Sequence, residues 1–178
     1  MDYILHHGCP QTCRGQVEDS HPSEAKVVAS MTDQDEIGAV IDEMYAMISG
    51  LKGPRDWSRQ DNCFLPDAKQ VRTWVDDQGR PQKLSMSLSE YATNTQPFFD
   101  ANDFYEVETG RRIDLFGNMA HVWSCYEARR FPNENPPERR GINSIQLFRD
   151  PELGWRIVHM IWDNERDPAL EWPMRQKG

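Results

Sequence analysis

Long apolar runs are missing: no stretch approaches the roughly 18 consecutive apolar residues that a membrane-spanning helix needs, so no helical span is expected. Positive charge is also short, with 20 Lys and Arg against 29 Asp and Glu and a net charge of −9 at pH 7. Binding to a phosphate backbone draws on clustered Lys and Arg, so nucleic acid is not an expected partner. Cysteine is scarce, and Cys9, Cys13, Cys63 and Cys125 include no C-x-x-C pair, only a C-x3-C near the start. We expect free thiols in a reducing compartment. G-x-S-x-G, the P-loop, the dinucleotide glycine set and H-E-x-x-H are all absent, which leaves serine-type hydrolysis, nucleotide binding and zincin chemistry without support. His6, His7, Cys9 and Cys13 match no common zinc spacing, so no metal and no cofactor is expected. The first residues also lack a basic region followed by an apolar one, so no secretory signal is read and a cytoplasmic location is expected.

What remains is a polar but foldable chain of 178 residues with 38% hydrophobic and 10% aromatic content, about the size of one domain. Residues 1–31 show no sustained period and are rich in Gly, Pro, Ser, His and Gln, so they read as an unstructured extension, with Met31 a possible alternative start. Residues 32–166 form the expected domain and residues 167–178 a C-terminal tail. After Thr32 and Asp33, the residues Ile37, Val40, Ile41, Met44, Tyr45 and Ile48 recur at steps of three and four, which predicts an amphipathic helix. A short helical piece over DWSRQDNCF follows, its Trp57 and Phe64 directed at the core. KQVRTWV alternates and predicts a strand ending at Asp77-Gln78-Gly79. Ser87 and Glu90 form a capping box for a helix that runs past Phe98-Phe99 despite Pro97. Four strands are then expected: Tyr105 to Phe116, Met119 to Phe131, Arg140 to Arg149 and Trp155 to Glu165.

A hairpin closing at Gly117-Asn118 would set Ile113 opposite Val122, Arg111 opposite Ser124 and Thr109 opposite Tyr126 on one, interior face. The other face would carry Glu106, Glu108, Arg112 and Asp114 beside His121, Trp123, Cys125, Glu127 and Arg129. That charged set reads as an outer face, solvated or covered by a second subunit, and Trp123 on it argues for partial burial. In the last strand Ile157, His159 and Ile161 alternate with Val158, Met160 and Trp162, and both sets are apolar enough to point inward.

The segments DEIGAVIDEMYAMI, FLPDA, IDLFGNMAHVWSCYEAR and RGINSIQLFRDPELGWRIVHMIW resemble the nuclear transport factor 2-like superfamily, in particular its small bacterial SnoaL-like members. The resemblance spans about Thr32 to Glu165 and includes no catalytic motif. It implies an α+β cone: a strongly bent mixed or antiparallel sheet wrapped around three helices, enclosing a pocket, with a homodimer through the outer sheet face. The superfamily includes isomerases, dehydratases, cyclases, dioxygenase small subunits and non-catalytic association domains, so fold does not select among them. For a hydrophobic small molecule in the pocket, the lining expected from the resemblance is Tyr45, Trp57, Phe98, Tyr126, Gln146, Met160 and Trp162. Kinase association domains carry arginines at positions that match Tyr126, Gln146 and Trp162. Their absence here argues against an anion-binding pocket.

For acid–base chemistry the candidates are His159, oriented by Asp61 or Asp163, and Tyr126 as a hydrogen-bond donor to a carbonyl or enolate. Each has a structural alternative: a core-edge histidine bonded to backbone, a solvated helix carboxylate, a tyrosine that only packs. A cofactor-independent lyase, isomerase or cyclase is one reading. A non-catalytic dimeric binding domain, or the small subunit of a ring-hydroxylating dioxygenase, is the alternative.

Overall fold

A computed structural model describes residues 31–166 and 172–173. The extension expected over residues 1–31, apart from Met31, lies outside the described residues, as does the tail expected over 167–178 apart from residues 172–173.

Helix α1, Asp33–Ile48, starts where Thr32 accepts a hydrogen bond from the Asp35 amide and Asp35 reaches back to the Thr32 amide, a reciprocal cap worth about 1 kcal/mol. Its buried stripe is Ile37, Val40, Ile41, Met44, Tyr45, Met47 and Ile48, the threefold and fourfold spacing read from the sequence. No basic residue occupies its last turn. Arg55 supplies one from the following loop, donating to the carbonyl of Ile48 at 2.9 Å while stacking over Phe99 at 4.6 Å. A 3-10 turn, Trp57–Arg59, leads into the short helix α2, Gln60–Cys63. Helix α3, Leu88–Ala101, begins with the Ser87/Glu90 capping box and accommodates Pro97 in its interior.

The strands are β1 Phe64–Val75, β2 Pro81–Met86, β3 Tyr105–Phe116, β4 Met119–Arg129, β5 Arg139–Asp150 and β6 Gly154–Asn164. They form one sheet in the order β2-β1-β6-β5-β4-β3, with β1 and β6 parallel and every other pair antiparallel. Three helices and a mixed sheet that does not close give an α+β cone. The core lies between the sheet and α1, and the fully buried Trp155 on β6 donates its indole N–H to Asp33 at 3.1 Å, pinning the start of α1 to the sheet.

Three features differ from the sequence reading. Strand β2 was not expected, because PQKLSM has little β propensity and offers only Leu84 and Met86 as apolar residues; pairing with β1 across the Asp77-Gln78-Gly79 turn makes it a strand. In the β3–β4 hairpin Ile113 faces Val122 and Arg111 faces Ser124 as expected, but the register then shifts and Glu108, not Thr109, faces Tyr126. Thr109 is the extra residue of a bulge. Every β3 residue before it therefore changes face, which brings Glu106 and Glu108 to the interior and turns Val107 outward. A second bulge, at Val158, resolves β6: Trp155 and Ile157 are buried on one side of it, Met160 on the other, and His159 goes to the outer face.

Candidate functional site

The inward side chains enclose a cavity of about 260 Å³ between α1, α3 and the sheet. Its apolar lining is Met44, Met47, Ile48, Phe64, Tyr91, Phe98, Phe99, Phe104, Met160 and Trp162. The aromatic rings brace one another edge-on, with Phe98 and Phe104 centroids 5.6 Å apart and Tyr91 and Trp162 6.1 Å apart. Polar lining comes from Gln70, Arg72, Asn94, Thr95, Glu106, Tyr126, Arg139, Asn143 and Asn164. Arg72 and Asn94 are exposed, so the cavity reaches solvent beside them, whereas Gln70 is 1% exposed.

Glu106 is the one carboxylate in this lining. Its backbone is fixed at the end of α1: the Glu106 amide donates to Ser49 Oγ at 3.0 Å, and the neighbouring Phe104 pairs with Gly50. On the sheet it faces Ala128, whose other neighbour is Arg139, so a small side chain separates the carboxyl from a guanidinium on the same inner face. No ion pair or side-chain hydrogen bond holds the Glu106 carboxyl among the described residues. Burial pushes it up from 4.5 to about 7, and the more distant Arg139 charge offsets only part of that.

Tyr126 lies diagonally from Glu106 on the inner face. Its hydroxyl donates to Asn164 Oδ1 at 2.8 Å, and its ring covers Gly141, where a Cβ would come within 2.3 Å of the hydroxyl oxygen. Burial first, and the Glu106 charge second, push the phenol up, so it remains a donor at neutral pH. Behind this wall runs a polar chain. Arg111 joins Asp42 at 2.5 Å and Glu108 at 2.6 Å; Ser124 Oγ donates to Glu108 at 2.5 Å; Ser124 and Tyr45 hydroxyls meet at 2.6 Å; Asn143 Nδ2 donates to Tyr45 at 2.9 Å. The chain ends on Asn143, which lines the cavity, so a buried network fixes the orientation of that amide.

Of the residues singled out in the sequence, Tyr126, Phe98, Met160 and Trp162 line the cavity together. Tyr45 and Trp57 do not: Tyr45 is buried in the network behind the wall, and Trp57 packs edge-on to Tyr91 while donating to Gln96 at 2.7 Å. Gln146 is exposed on the outer face, since Ile145 and Leu147 are the buried neighbours on β5. His159 faces the same way, between Gln146 and Lys69, because the Val158 bulge moves it out. Asp61 is exposed on α2, and Asp163 points outward to an ion pair with Arg166 at 2.7 Å. The acid–base set His159, Asp61 and Asp163 is therefore dispersed over the exterior. His121 is also on the outer face, bonded to Ser144 at 2.9 Å and edge-on to Trp123 at 4.9 Å.

Glu106, Gln70, Asn143 and Arg139 were not singled out as site residues. The signal for Glu106 was Thr109-Gly110: a glycine inside a strand pattern marks a bulge, and a bulge reverses the faces before it. The arginines lining the cavity come from Arg72 and Arg139, not from the positions read in the sequence, which removes the argument against an anion.

No protein-family model matches the sequence, and no curated protein matches it. Solved structures do match. A nuclear transport factor 2-like superfamily protein of Salmonella enterica serovar Typhimurium is 17% identical with a TM-score of 0.56, over 78% of this chain and 94% of its own. A putative dehydratase of the same family from Streptomyces avermitilis is 15% identical, TM-score 0.52, over 73% and 94%. The CaMKII hub of S. rosetta is 17% identical, TM-score 0.51, over 72% and 94%. At these identities the likeness concerns the fold.

Proposed function

This chain has the nuclear transport factor 2-like fold, and from that premise we propose that it is a cofactor-independent enzyme of the isomerase or dehydratase type, acting on a hydrophobic small molecule in its cavity. The observation that carries the reading is Glu106: a carboxyl with no partner among the described residues, on the wall of an aromatic cavity, where burial pushes it up to about 7. A general base is most effective when its pKa lies near the working pH. Glu106 takes a proton from a carbon next to a carbonyl, and the electron pair moves onto the carbonyl oxygen. The enolate oxygen is met by a neutral donor: the second N–H of the Asn143 amide, or the Tyr126 phenol once its hydrogen turns from Asn164 Oδ1 to the ligand. Returning the proton to another carbon gives isomerisation; expelling a hydroxide from the β-carbon as water gives dehydration.

The test is proton exchange. An enolisable, compact ketone such as 2-tetralone is incubated with the protein in D2O and followed by NMR. We expect deuterium at the α-carbon at a rate that Glu106→Gln lowers about 100-fold or more. Exchange unaffected by Glu106→Gln would sink the reading.

A second reading, a homodimeric binding domain, rests on the outer sheet face. Phe116, Met119 and Phe148 form one cross-strand row there, 78%, 60% and 38% exposed. Apolar rows of that kind mark association surfaces. Two copies joined through this face leave both cavities free, so this reading is compatible with the first.

A further inference from the structure

The cavity has a second chemical feature, on the strand opposite Glu106. Gln70 and Arg72 are two apart on β1 and both line the cavity, next to Met160 and Trp162 on β6. Gln70 is 1% exposed, and its Nε2 has no hydrogen-bond partner among the described residues. A buried amide donor is ordinarily satisfied, so one left open toward a cavity marks the place of a ligand acceptor. Arg72, at the solvent end of the same wall, pairs with no carboxylate among the described residues. The charge of the lining points the same way. In a protein of net charge −9, the ionisable side chains around this cavity among the described residues, other than tyrosine, are Arg72, Arg139 and Glu106, two cations against one acid.

We propose that Gln70 and Arg72 form an acyl-oxygen subsite, and that the cavity takes an aromatic or alicyclic carboxylic acid with its carboxylate on β1 and its ring against Phe98, Phe99 and Trp162. The planar guanidinium and the amide both donate hydrogen bonds, which suits the two oxygens of one carboxylate. Strands β1 and β3 lie four positions apart in the sheet order, so the bent sheet sets this subsite across the cavity from Glu106. The ligand's charge is thereby held away from the base, and the carbon skeleton spans the space between. The inference rests on the proposed reading for the identity of the reacting end, but not for the binding of the acid.

Calorimetric titration of the full chain with 3-phenylpropionate and with 3-phenylpropionamide tests it. The acid should bind about tenfold or more tightly than the amide, the gain expected from a charge-assisted pair. Arg72→Gln should reduce the acid to the amide's affinity, and Gln70→Met, close to it in size, should weaken the acid by a smaller factor with the thermal unfolding transition retained. Glu106→Gln should keep the preference for the acid, which separates this subsite from the base. Equal affinity for acid and amide, no binding of the acid, or a preference that survives Arg72→Gln would overturn the proposal. No α-proton exchange by the native protein, or exchange that survives Glu106→Gln, with the acid preference intact would instead count against the base alone.

Discussion

Glu106 and Glu127 sit on neighbouring strands of one hairpin, one row apart, and face opposite sides of the sheet. Glu127, on the outer side, is clamped by Arg129 and by Arg140 at 3.0 Å, and although burial pulls it up, the two guanidiniums hold its carboxyl below the usual range. Glu106 faces an aromatic cavity with no guanidinium in hydrogen-bond reach, and burial prevails. The same side chain is thus an ion-pair partner on one face and the proposed base on the other. What assigns the faces is a single extra residue, Thr109.

Glu108→Ala attacks that assignment directly and should have the largest effect. The bulge at Thr109 turns Glu108 inward, where Arg111 at 2.6 Å and the Ser124 hydroxyl at 2.5 Å both bond to it. Taking one partner from a largely buried pair costs about 3–5 kcal/mol, so we expect a loss of that order in urea unfolding. A variant as stable as the native protein would show that Glu108 is not held on the interior face.

Gly141→Ala comes next. Its Cβ would collide with the Tyr126 hydroxyl and with the Asp163 carbonyl at 2.7 Å, both held in place, so overpacking should cost about 1–3 kcal/mol and loosen the Tyr126–Asn164 bond. Crystallography of that variant would show whether the Tyr126 ring leaves the cavity wall.

The two carboxylates should also give opposite slopes with pH. Because Glu106 is raised from 4.5 to about 7, the folded protein holds a proton between those values that the unfolded chain releases, and stability falls as pH rises through that window. Glu127, lowered, contributes stability that is lost as pH falls through its folded value. Glu106→Gln removes the first slope alone. The stability of the native protein relative to this variant should decline by about 1–3 kcal/mol from pH 4.5 to 7, followed as Tm.

On the proposed dimeric reading, Trp123→Glu, on the outer face beside His121, should leave stability and cavity nearly unchanged and lower the mass seen in sedimentation velocity from dimer to monomer. A folded dimer in this variant would exclude the sheet face as the interface.

The same contrast explains what could be read in the sequence. Helices α1 and α3, their caps, and strands β4 and β5 follow from spacing and capping residues, because each depends on local chemistry and on one unbroken period. Alternation fails wherever a residue is inserted. Glu106 looked solvated because two-residue counting from Ile113 passes through Thr109, and His159 remained a base candidate because counting along β6 passes through Val158. Asn143 and Gln70 were hidden for another reason. Their role depends on a cavity assembled from strands far apart in sequence, and a lone amide carries no local signature of a missing partner.

The most direct test is a pH titration of the Glu106 side-chain carboxyl by carbon-13 NMR, assigned by its disappearance in Glu106→Gln. A midpoint near 7 is what the inward, cavity-facing Glu106 requires. A midpoint near the ordinary 4.5 would contradict it, placing the carboxyl in water and leaving the cavity without a base.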